Sequence, residues 1–175
     1  MVLTVKLFSV ILYTALENSF SMTRINSAIP VKLLTDEHLL AEHREIKRLP
    51  DNFLKALTSG ALRRIPKTFC LGKGHVTFFL DKQFFCLIRY NQIHSECCLR
   101  GLNVEYYATN WLKLEKQMTQ LNCWHDYKPT EEERQLLVDR IATRISESKK
   151  THFHYYKNVI TKEDAIKLLS QHVFS

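Results

Sequence analysis

The sequence lacks closely spaced cysteine pairs. Its 175 residues include five cysteines, an odd number, and none of them stands in a Cys-x-x-Cys pair. A disulfide framework is therefore not indicated, and we expect reduced, mostly buried thiols in a cytosolic protein that is not secreted. A zinc site could be drawn from Cys123, His125 and the pair His152 and His154, but it lacks the closely spaced cysteine pairs typical of such sites. We therefore predict no metal ion.

The sequence also lacks an uninterrupted apolar run of membrane-spanning length. Residues 2–13 are apolar except for Lys6, whereas a spanning helix needs about 20 predominantly apolar residues. The resemblance to a secretory signal peptide is weak, although Ser19 and Ser21 would suit a cleavage site. We therefore expect no membrane contact.

Internal repeats, low-complexity segments and a phosphate-binding loop are missing as well. The lone Gly72-Lys73-Gly74 does not extend into a longer glycine fingerprint, and a single Gly-x-Gly is common. With 45% hydrophobic residues the chain can bury a core, and its length favours one domain, or one domain plus an appendage. The formal net charge of +7 favours a polyanionic partner, since Lys and Arg that neutralise phosphates release counterions.

Local signals predict a compact, all-α fold. Thr35 can cap a helix whose first turn carries Asp36 and Glu37 at the positive end of the helix dipole. Pro50 breaks or kinks this helix before residues 52–58 resume it. Helical periodicity therefore dominates the first third of the predicted domain.

A buried central helix is predicted next, ending where Arg100 is followed by Gly101. Its apolar residues keep helical spacing at Val76, Phe79, Leu80, Phe84, Leu87 and Ile88. Residues 103–126 show no clear period and are predicted to be irregular.

The C-terminal third is predicted to contain two capped helices. Thr130 and Glu133 form a capping box, and Thr161 caps a final amphipathic helix over residues 162–173. The first of these helices has an inner stripe of Leu137, Ile141 and Ile145.

Two helices carry arginines that share a face. At about 100° per residue, Arg44 and Arg48 flank Glu45 on one arc that also includes Ala41. Arg140 and Arg144 lie four residues apart on the second helix. For both faces the alternatives are solvated side chains and contacts to phosphate.

Three segments resemble the pyrimidine-dimer DNA glycosylase family of the T-even phage endonuclease V type, which has bacterial relatives. The first runs from Met22 to Asn26 as Met-Thr-Arg-Ile-Asn and continues in the helix with His-Leu-x-Ala-Glu-x-Arg-Glu over residues 38–45. The second is Leu-Gly-Lys-Gly-His-Val-Thr-Phe-Phe-Leu-Asp-Lys over residues 71–82, and a looser third covers residues 96–103. Residues 151–157 match an aromatic segment that family members place near the DNA, with His152 where phage members have Trp.

Family members begin at the residue that matches Met22. The leading hypothesis is therefore that residues 1–21 are an extension, from a start codon assigned too far upstream or from a processed segment. The predicted domain then covers residues 22–175.

This resemblance implies a DNA repair glycosylase with a coupled abasic-site lyase that acts on cyclobutane pyrimidine dimers. The implied nucleophile is the α-amine of Thr23, freed by removal of Met22, and Glu45 takes part in proton removal. The implied DNA-binding residues are Arg24, His38, Arg44, Arg48, Arg140 and Arg144. No cofactor is implied, and the expected partner is double-stranded DNA containing UV damage, bound by a monomer.

Other functions remain open at the level of sequence. A small basic helical protein could bind DNA without catalysis, and a metal-dependent nuclease is a further possibility. The same imine chemistry would also serve a lyase specific for abasic or oxidised-base sites.

Overall fold

The structure, a computed structural model, describes residues 24–171 of the chain. Its α-helices are α1 Asp36–Ile46, α2 Leu49–Ser59, α3 His75–Phe78, α4 Gln83–Leu99, α5 Thr109–Gln120, α6 Glu131–Glu147 and α7 Lys162–Leu169. Short 3-10 helices occupy Val31–Leu33, Ala61–Arg64 and Gly72–Gly74. The β-strands of the described region, β1 His152–Tyr155 and β2 Asn158–Thr161, form one antiparallel hairpin. The prediction of a compact all-α fold is therefore confirmed, with this hairpin as an addition.

Helix α1 begins where the capping signal predicted. The side chain of Thr35 accepts a hydrogen bond from the backbone N–H of His38 at 3.4 Å. The helix ends at Ile46, and α2 starts at Leu49 with Pro50 in its first turn, where a missing N–H is tolerated. Pro50 was predicted to break or to kink the first helix, and in the structure the helix is broken there into α1 and α2.

The prediction of a central helix is confirmed at the C-terminal end of the helix and is wrong at its N-terminal end. Gly101 adopts a φ of +62° directly after Arg100, as a helix-ending glycine does. The predicted single helix is instead divided into α3 and α4. The side chain of Gln83 donates to the carbonyls of Phe79 and Leu80 at 3.2 and 3.3 Å, which satisfies backbone acceptors at the break.

The buried face of α4 also differs from the predicted stripe. Phe84 and Ile88 are 38% and 43% exposed, although Leu87 is buried. The residues that face the core at helical spacing include Cys86, Tyr90, Ile93 and Cys97. The apolar pattern was misleading because the same face buries Gln83, Arg89 and Glu96, which a hydrophobic period does not count.

The prediction of irregular structure over residues 103–126 is wrong, because α5 lies within it. This helix buries only Trp111 and Met118, which are seven residues apart. Two buried residues in twelve leave the period too sparse to recognise. Trp111 donates its indole N–H to Oε1 of Gln83 at 2.9 Å, which ties α5 to the start of α4.

Both predicted caps in the C-terminal third are confirmed. Thr130 and Glu133 form the capping box of α6, and Thr161 accepts from the backbone N–H of Asp164 at the start of α7. The predicted stripe of α6 is buried as expected, at Leu137, Ile141 and Ile145. Helix α7 ends at Leu169, so the predicted end at residue 173 was too late; residue 173 itself lies outside the described range.

The β-hairpin turns through two residues with left-handed backbone. Tyr156 and Lys157 have φ values of +49° and +63°, a conformation that L-residues rarely adopt. Their backbone N–H groups donate to the carboxylate of Asp36 at 3.2 and 2.8 Å. The first residue of α1 therefore holds the hairpin turn in place.

The five cysteines are free thiols, and Cys86, Cys97 and Cys123 are buried, as the sequence predicted. Burial raises the pKa of Cys97 to about 12. Residues 24–171 contain no helix long and apolar enough to cross a membrane. In the same residues no three His, Cys, Asp or Glu side chains are grouped so that they could hold a metal ion.

His43 is a buried imidazole between α1 and α4. Its ring lies 5.3 Å from that of Tyr90 and 5.9 Å from that of His94, measured between centroids. Its Nε2 has no hydrogen-bond partner among residues 24–171. Burial, followed by the nearby His94 and Lys47, lowers the pKa of His43 to about 4. The folded protein therefore holds this ring neutral.

We predict that His43 contributes to acid destabilisation. The unfolded chain binds a proton at this residue near pH 6.5, whereas the folded chain does so only near pH 4. The stability that the neutral ring provides is present above pH 6.5 and is lost as the pH falls towards 4. His43→Phe keeps an aromatic ring against Tyr90 but cannot titrate. The free energy of unfolding, measured with urea at pH 7, 5.5 and 4.5, should fall less steeply with pH in the variant than in the wild type. The difference between the two slopes should correspond to nearly one bound proton.

The exposed His125→Phe is the matched control for this measurement. It replaces an exposed histidine by the same residue, and so shows the effect of exchanging a histidine outside the core. Equal pH slopes for His43→Phe and the wild type would contradict the neutral, buried state of His43.

Candidate active site

A cavity of about 340 Å³ opens between the N-terminal segment, α1, α6 and the β-hairpin. Its basic side chains are those of Arg24, Arg44, Arg140, Arg144 and Lys150. The remaining lining residues are Asn26, Glu37, His38, Ala41, Ser148 and Phe153. Five cations against one carboxylate make this cavity a site for an anion.

The regular geometry of two helices brings these groups together. On α1, His38, Ala41 and Arg44 follow one another at intervals of three residues and face the cavity. On α6, Arg140 and Arg144 are four residues apart and point to the same space. The hairpin that follows α6 adds Phe153.

Arg140 is buried, which excludes the solvated alternative for this residue. Only 6% of it is exposed, and its Nη2 donates to Oδ1 of Asn26. Burial, followed by the positive charge of Arg144, lowers the pKa of Arg140 to about 10, while Glu42 opposes this shift. A pKa of about 10 still leaves the guanidinium charged at neutral pH.

Arg144 and Arg24, which also line the cavity, repel each other. Burial lowers the pKa of Arg144, and the charge of Arg24 lowers it further. Arg44 is exposed, and its Nε donates to the carbonyl of Leu40 at 3.2 Å. A phosphate group entering the cavity would relieve this repulsion.

Two aromatic rings line the cavity beside the arginines. His38 and Phe153 stack with their centroids 5.9 Å apart and their planes inclined by 16°. Burial, followed by the charge of Arg140, lowers the pKa of His38 to about 4, so the ring is neutral at pH 7. His152, which stands where phage relatives have Trp, is exposed and does not line the cavity; the aromatic ring that does is Phe153.

The single carboxylate of the cavity, Glu37, is held by the hairpin. Its oxygens lie 2.9 Å from Nδ1 and 3.1 Å from the backbone N of His154, and Nζ of Lys150 is 3.6 Å away. Burial raises the pKa of Glu37, but the hydrogen bonds from His154 outweigh burial and lower the pKa overall. This carboxylate therefore accepts hydrogen bonds at one wall of a basic cavity.

Five of the eight residues predicted for the site line this cavity: Arg24, His38, Arg44, Arg140 and Arg144. Glu45 and Arg48 do not line it. Glu45 is 17% exposed in its side chain, lies one turn after Ala41 on α1 and is 3.9 Å from Nη1 of Arg48. Arg48 lies beyond the end of α1 and its side chain is 63% exposed, so the predicted helical arc stops before it. Thr23 lies outside the described residues.

Four further residues line the cavity although no site role was predicted for them: Asn26, Glu37, Lys150 and Phe153. Asn26 was part of a recognised motif, and Phe153 part of a recognised aromatic segment. Glu37 was interpreted only as an acidic residue in the first turn of a helix, where it interacts favourably with the helix dipole. Spacing along the chain could not have found these residues, because the contacts of Glu37 with Lys150 and His154 join positions more than a hundred residues apart.

Comparison with known proteins gives a family match for the N-terminal half of the chain. The family described as pyrimidine dimer DNA glycosylase matches residues 22–110, which is 89 of 175 residues. The matched range contains α1, α4 and the cavity residues Arg24, His38 and Arg44. The chain therefore belongs to the pyrimidine dimer DNA glycosylase family.

Proposed function

We propose that this DNA glycosylase acts on cyclobutane pyrimidine dimers and couples base release to cleavage of the resulting abasic site. The nucleophile is the α-amine of Thr23 in a chain that begins at this residue. One observation supports this most: Arg24 lines the five-cation cavity, and Thr23 is joined to Arg24 by a single peptide bond. The substrate is double-stranded DNA containing UV damage, and the enzyme acts as a monomer.

An α-amine suits this role because of its acidity. Its reference pKa of about 7.7 to 8.0 leaves a sizeable neutral fraction at pH 7, whereas that of lysine is about 10.4. The amine nitrogen forms a bond to C1′ of the damaged nucleotide. The bond from C1′ to the base breaks, the base leaves with the electron pair and gains a proton, and loss of the amine proton with ring opening leaves an imine.

The imine then activates the sugar for strand cleavage. A base removes a proton from C2′, and the electrons of that C–H bond expel the phosphate from C3′. We assign a part in this proton removal to Glu45, which follows the cavity residue Arg44 on α1. Water finally hydrolyses the imine and frees the amine.

The arginines bind the phosphates that flank the lesion. Arg24, Arg44, Arg140 and Arg144 face one cavity and can position the backbone on either side of the reacting sugar. Arg48 is exposed near this face and contacts the duplex farther out. His38, neutral and stacked on Phe153, contacts the nucleotide without adding charge.

The first prediction for this function concerns Glu45. Glu45→Gln should reduce incision of dimer-containing DNA by roughly 100-fold or more, as loss of a proton acceptor does. Stability should change little, since the pair with Arg48 at 3.9 Å is partly exposed and such pairs contribute about 0–1 kcal/mol. Incision is measured on a gel under single-turnover conditions.

The matched control is Glu131→Gln. Glu131 also pairs with an arginine three residues later, at 3.2 Å, but it lies at the far end of α6 from Arg144. It should incise at the wild-type rate. If Glu45→Gln also incises at the wild-type rate, Glu45 has no part in the mechanism.

The second prediction concerns the basic side chains. Arg44→Ala, Arg48→Ala and Arg144→Ala should each weaken binding to damaged and undamaged duplex. Each should also reduce the salt dependence of the affinity by about one charge, because one phosphate contact is lost. The control Arg134→Ala removes an arginine of α6 that faces the carbonyls of Leu169 and Gln171, and its salt slope should match the wild type. Unchanged slopes in all three test variants would show that these arginines do not contact phosphate.

The third prediction concerns the α-amine of Thr23. A chain that begins at Thr23 should be trapped covalently on abasic-site DNA by borohydride, which reduces the imine. A chain that keeps residues 1–22 has an amide nitrogen at Thr23, which is not nucleophilic, and should give no adduct. Mass spectrometry of each preparation establishes which N-terminus is present. Equal trapping of the longer chain with Met1 still attached would assign the nucleophile to a lysine instead.

A further inference from the structure

The side-chain amide of Asn26 joins a buried anion to a cation of the cavity. Its Nδ2 donates to Oε2 of Glu42 at 2.9 Å, and its Oδ1 accepts from Nη2 of Arg140. A carboxylate only accepts hydrogen bonds and a guanidinium only donates them, so the amide fits in one orientation alone. Asn26 itself is 2% exposed.

Glu42 is a fixed anchor for this amide. It has no exposed surface, and its two oxygens accept from Nε and Nη2 of Arg89 at 2.9 and 3.1 Å. Arg89 in turn donates from Nη1 to the carbonyl of Ile29 at 2.8 Å. A bidentate pair of this kind restricts both partners geometrically, so Glu42 offers the amide an acceptor that does not move.

We propose that Asn26 is a positioning residue of the active site, which fixes the guanidinium of Arg140 against the cavity while leaving its positive charge intact. The contact that Asn26 makes with Arg140 is through a neutral oxygen, so Asn26 orients the guanidinium without neutralising its charge. Aspartate at this position would place a second carboxylate beside Glu42 and would pair with Arg140. Serine is too short to reach both Glu42 and Arg140.

Asn26 also lies three residues after Thr23 in the sequence. Nδ2 of Asn26 is also 3.4 Å from the carbonyl of Arg24, and the carbonyl of Ile25 lies 3.0 Å from Nε2 of His75. Ile25 is fully buried. The segment of residues 24–26 is therefore held by side chain and backbone next to the groups that line the cavity.

The catalytic consequence of this inference rests on the proposed function. If Arg140 holds a phosphate next to the reacting sugar, a displaced guanidinium misplaces the sugar relative to the nucleophile. Misplacement by about 1 Å can cost about 100-fold in rate. The effect on DNA binding does not depend on the imine chemistry and can be measured separately.

The test uses Asn26→Ser, Arg140→Ala and the double variant, with Asn26→Asp as a second replacement that reverses the electrostatics. Duplex affinity as a function of salt is measured on the full chain. Imine trapping at saturating abasic-site DNA is measured on the chain that begins at Thr23. Thermal unfolding accompanies each variant. Cys86→Ala, which removes a buried side chain of α4, controls for loss of stability alone.

We expect Asn26→Ser to fold, to trap about tenfold or more slowly at saturating DNA, and to lower the salt slope by about one charge, as Arg140→Ala does. The double variant should be no worse than Arg140→Ala, because the two residues act through one contact. Asn26→Asp should lower the salt slope at least as much, since it neutralises Arg140. Cys86→Ala should lower the unfolding temperature but leave trapping and salt slope unchanged.

Two results would overturn the inference. One is a folded Asn26→Ser with wild-type trapping and wild-type salt slope, and the other is a double variant whose losses are the sum of the single losses. If Asn26→Ser does not fold, a salt slope of Asn26→Asp equal to the wild type would overturn it as well. If the wild type gives no adduct, the proposed function fails, whereas the salt slopes still decide whether Asn26 acts through Arg140.

Discussion

The burial of two α1 carboxylates, Asp36 and Glu42, against Arg89 of α4 and Arg100 directly after α4 is the constraint on which the rest of the structure depends. Arg89 reaches Glu42, and Arg100 reaches Asp36 at 2.9 Å and Glu96 at 2.8 Å, all with little or no exposure. Removing one partner of such a pair leaves a buried charge and destabilises by about 3–5 kcal/mol. Arg89 and Arg100 also donate to the carbonyls of Ile29 and Leu34, so they fix the connection that leads into α1. The relative placement of α1, α4 and the N-terminal segment follows from these contacts.

The cavity is a product of the same constraint. Asp36, held by Arg100, binds the turn of the β-hairpin, and Glu42, held by Arg89, binds Asn26 and through it Arg140. The β-hairpin is thus connected to the Asp36–Arg100 pair, and α6 is connected through Asn26 to the Glu42–Arg89 pair. The family match ends at residue 110, but Arg140, Arg144 and Phe153 complete the site from beyond it. Residues from both the N-terminal and the C-terminal parts of the chain are therefore needed to form the cavity.

What the sequence predicted well depends on local chemistry. The threonine caps at residues 35, 130 and 161 were found because a hydroxyl and a free N–H three residues later interact within one turn. The hairpin was missed because its turn uses Tyr156 and Lys157 at positive φ, where glycine or asparagine would have given a signal. Asp36, from the other end of the domain, supplies the compensating hydrogen bonds, and no pattern along the chain reveals them. In the same way, the sequence left Arg140 open between a solvated side chain and a phosphate contact, because its burial beside Asn26 joins residues far apart in the chain.

The five cations of the cavity have a thermodynamic consequence for the protein when the cavity is empty. Arg144 is repelled by Arg24 and itself repels Arg140, and burial of Arg140 and Arg144 removes part of their hydration. Residues that bind an anion in this way reduce the stability of the empty protein, as functional sites commonly do. Any polyanion that occupies the cavity then stabilises the fold in proportion to the logarithm of its concentration. A ligand that fills the cavity therefore makes the native state more stable than it is with the cavity empty.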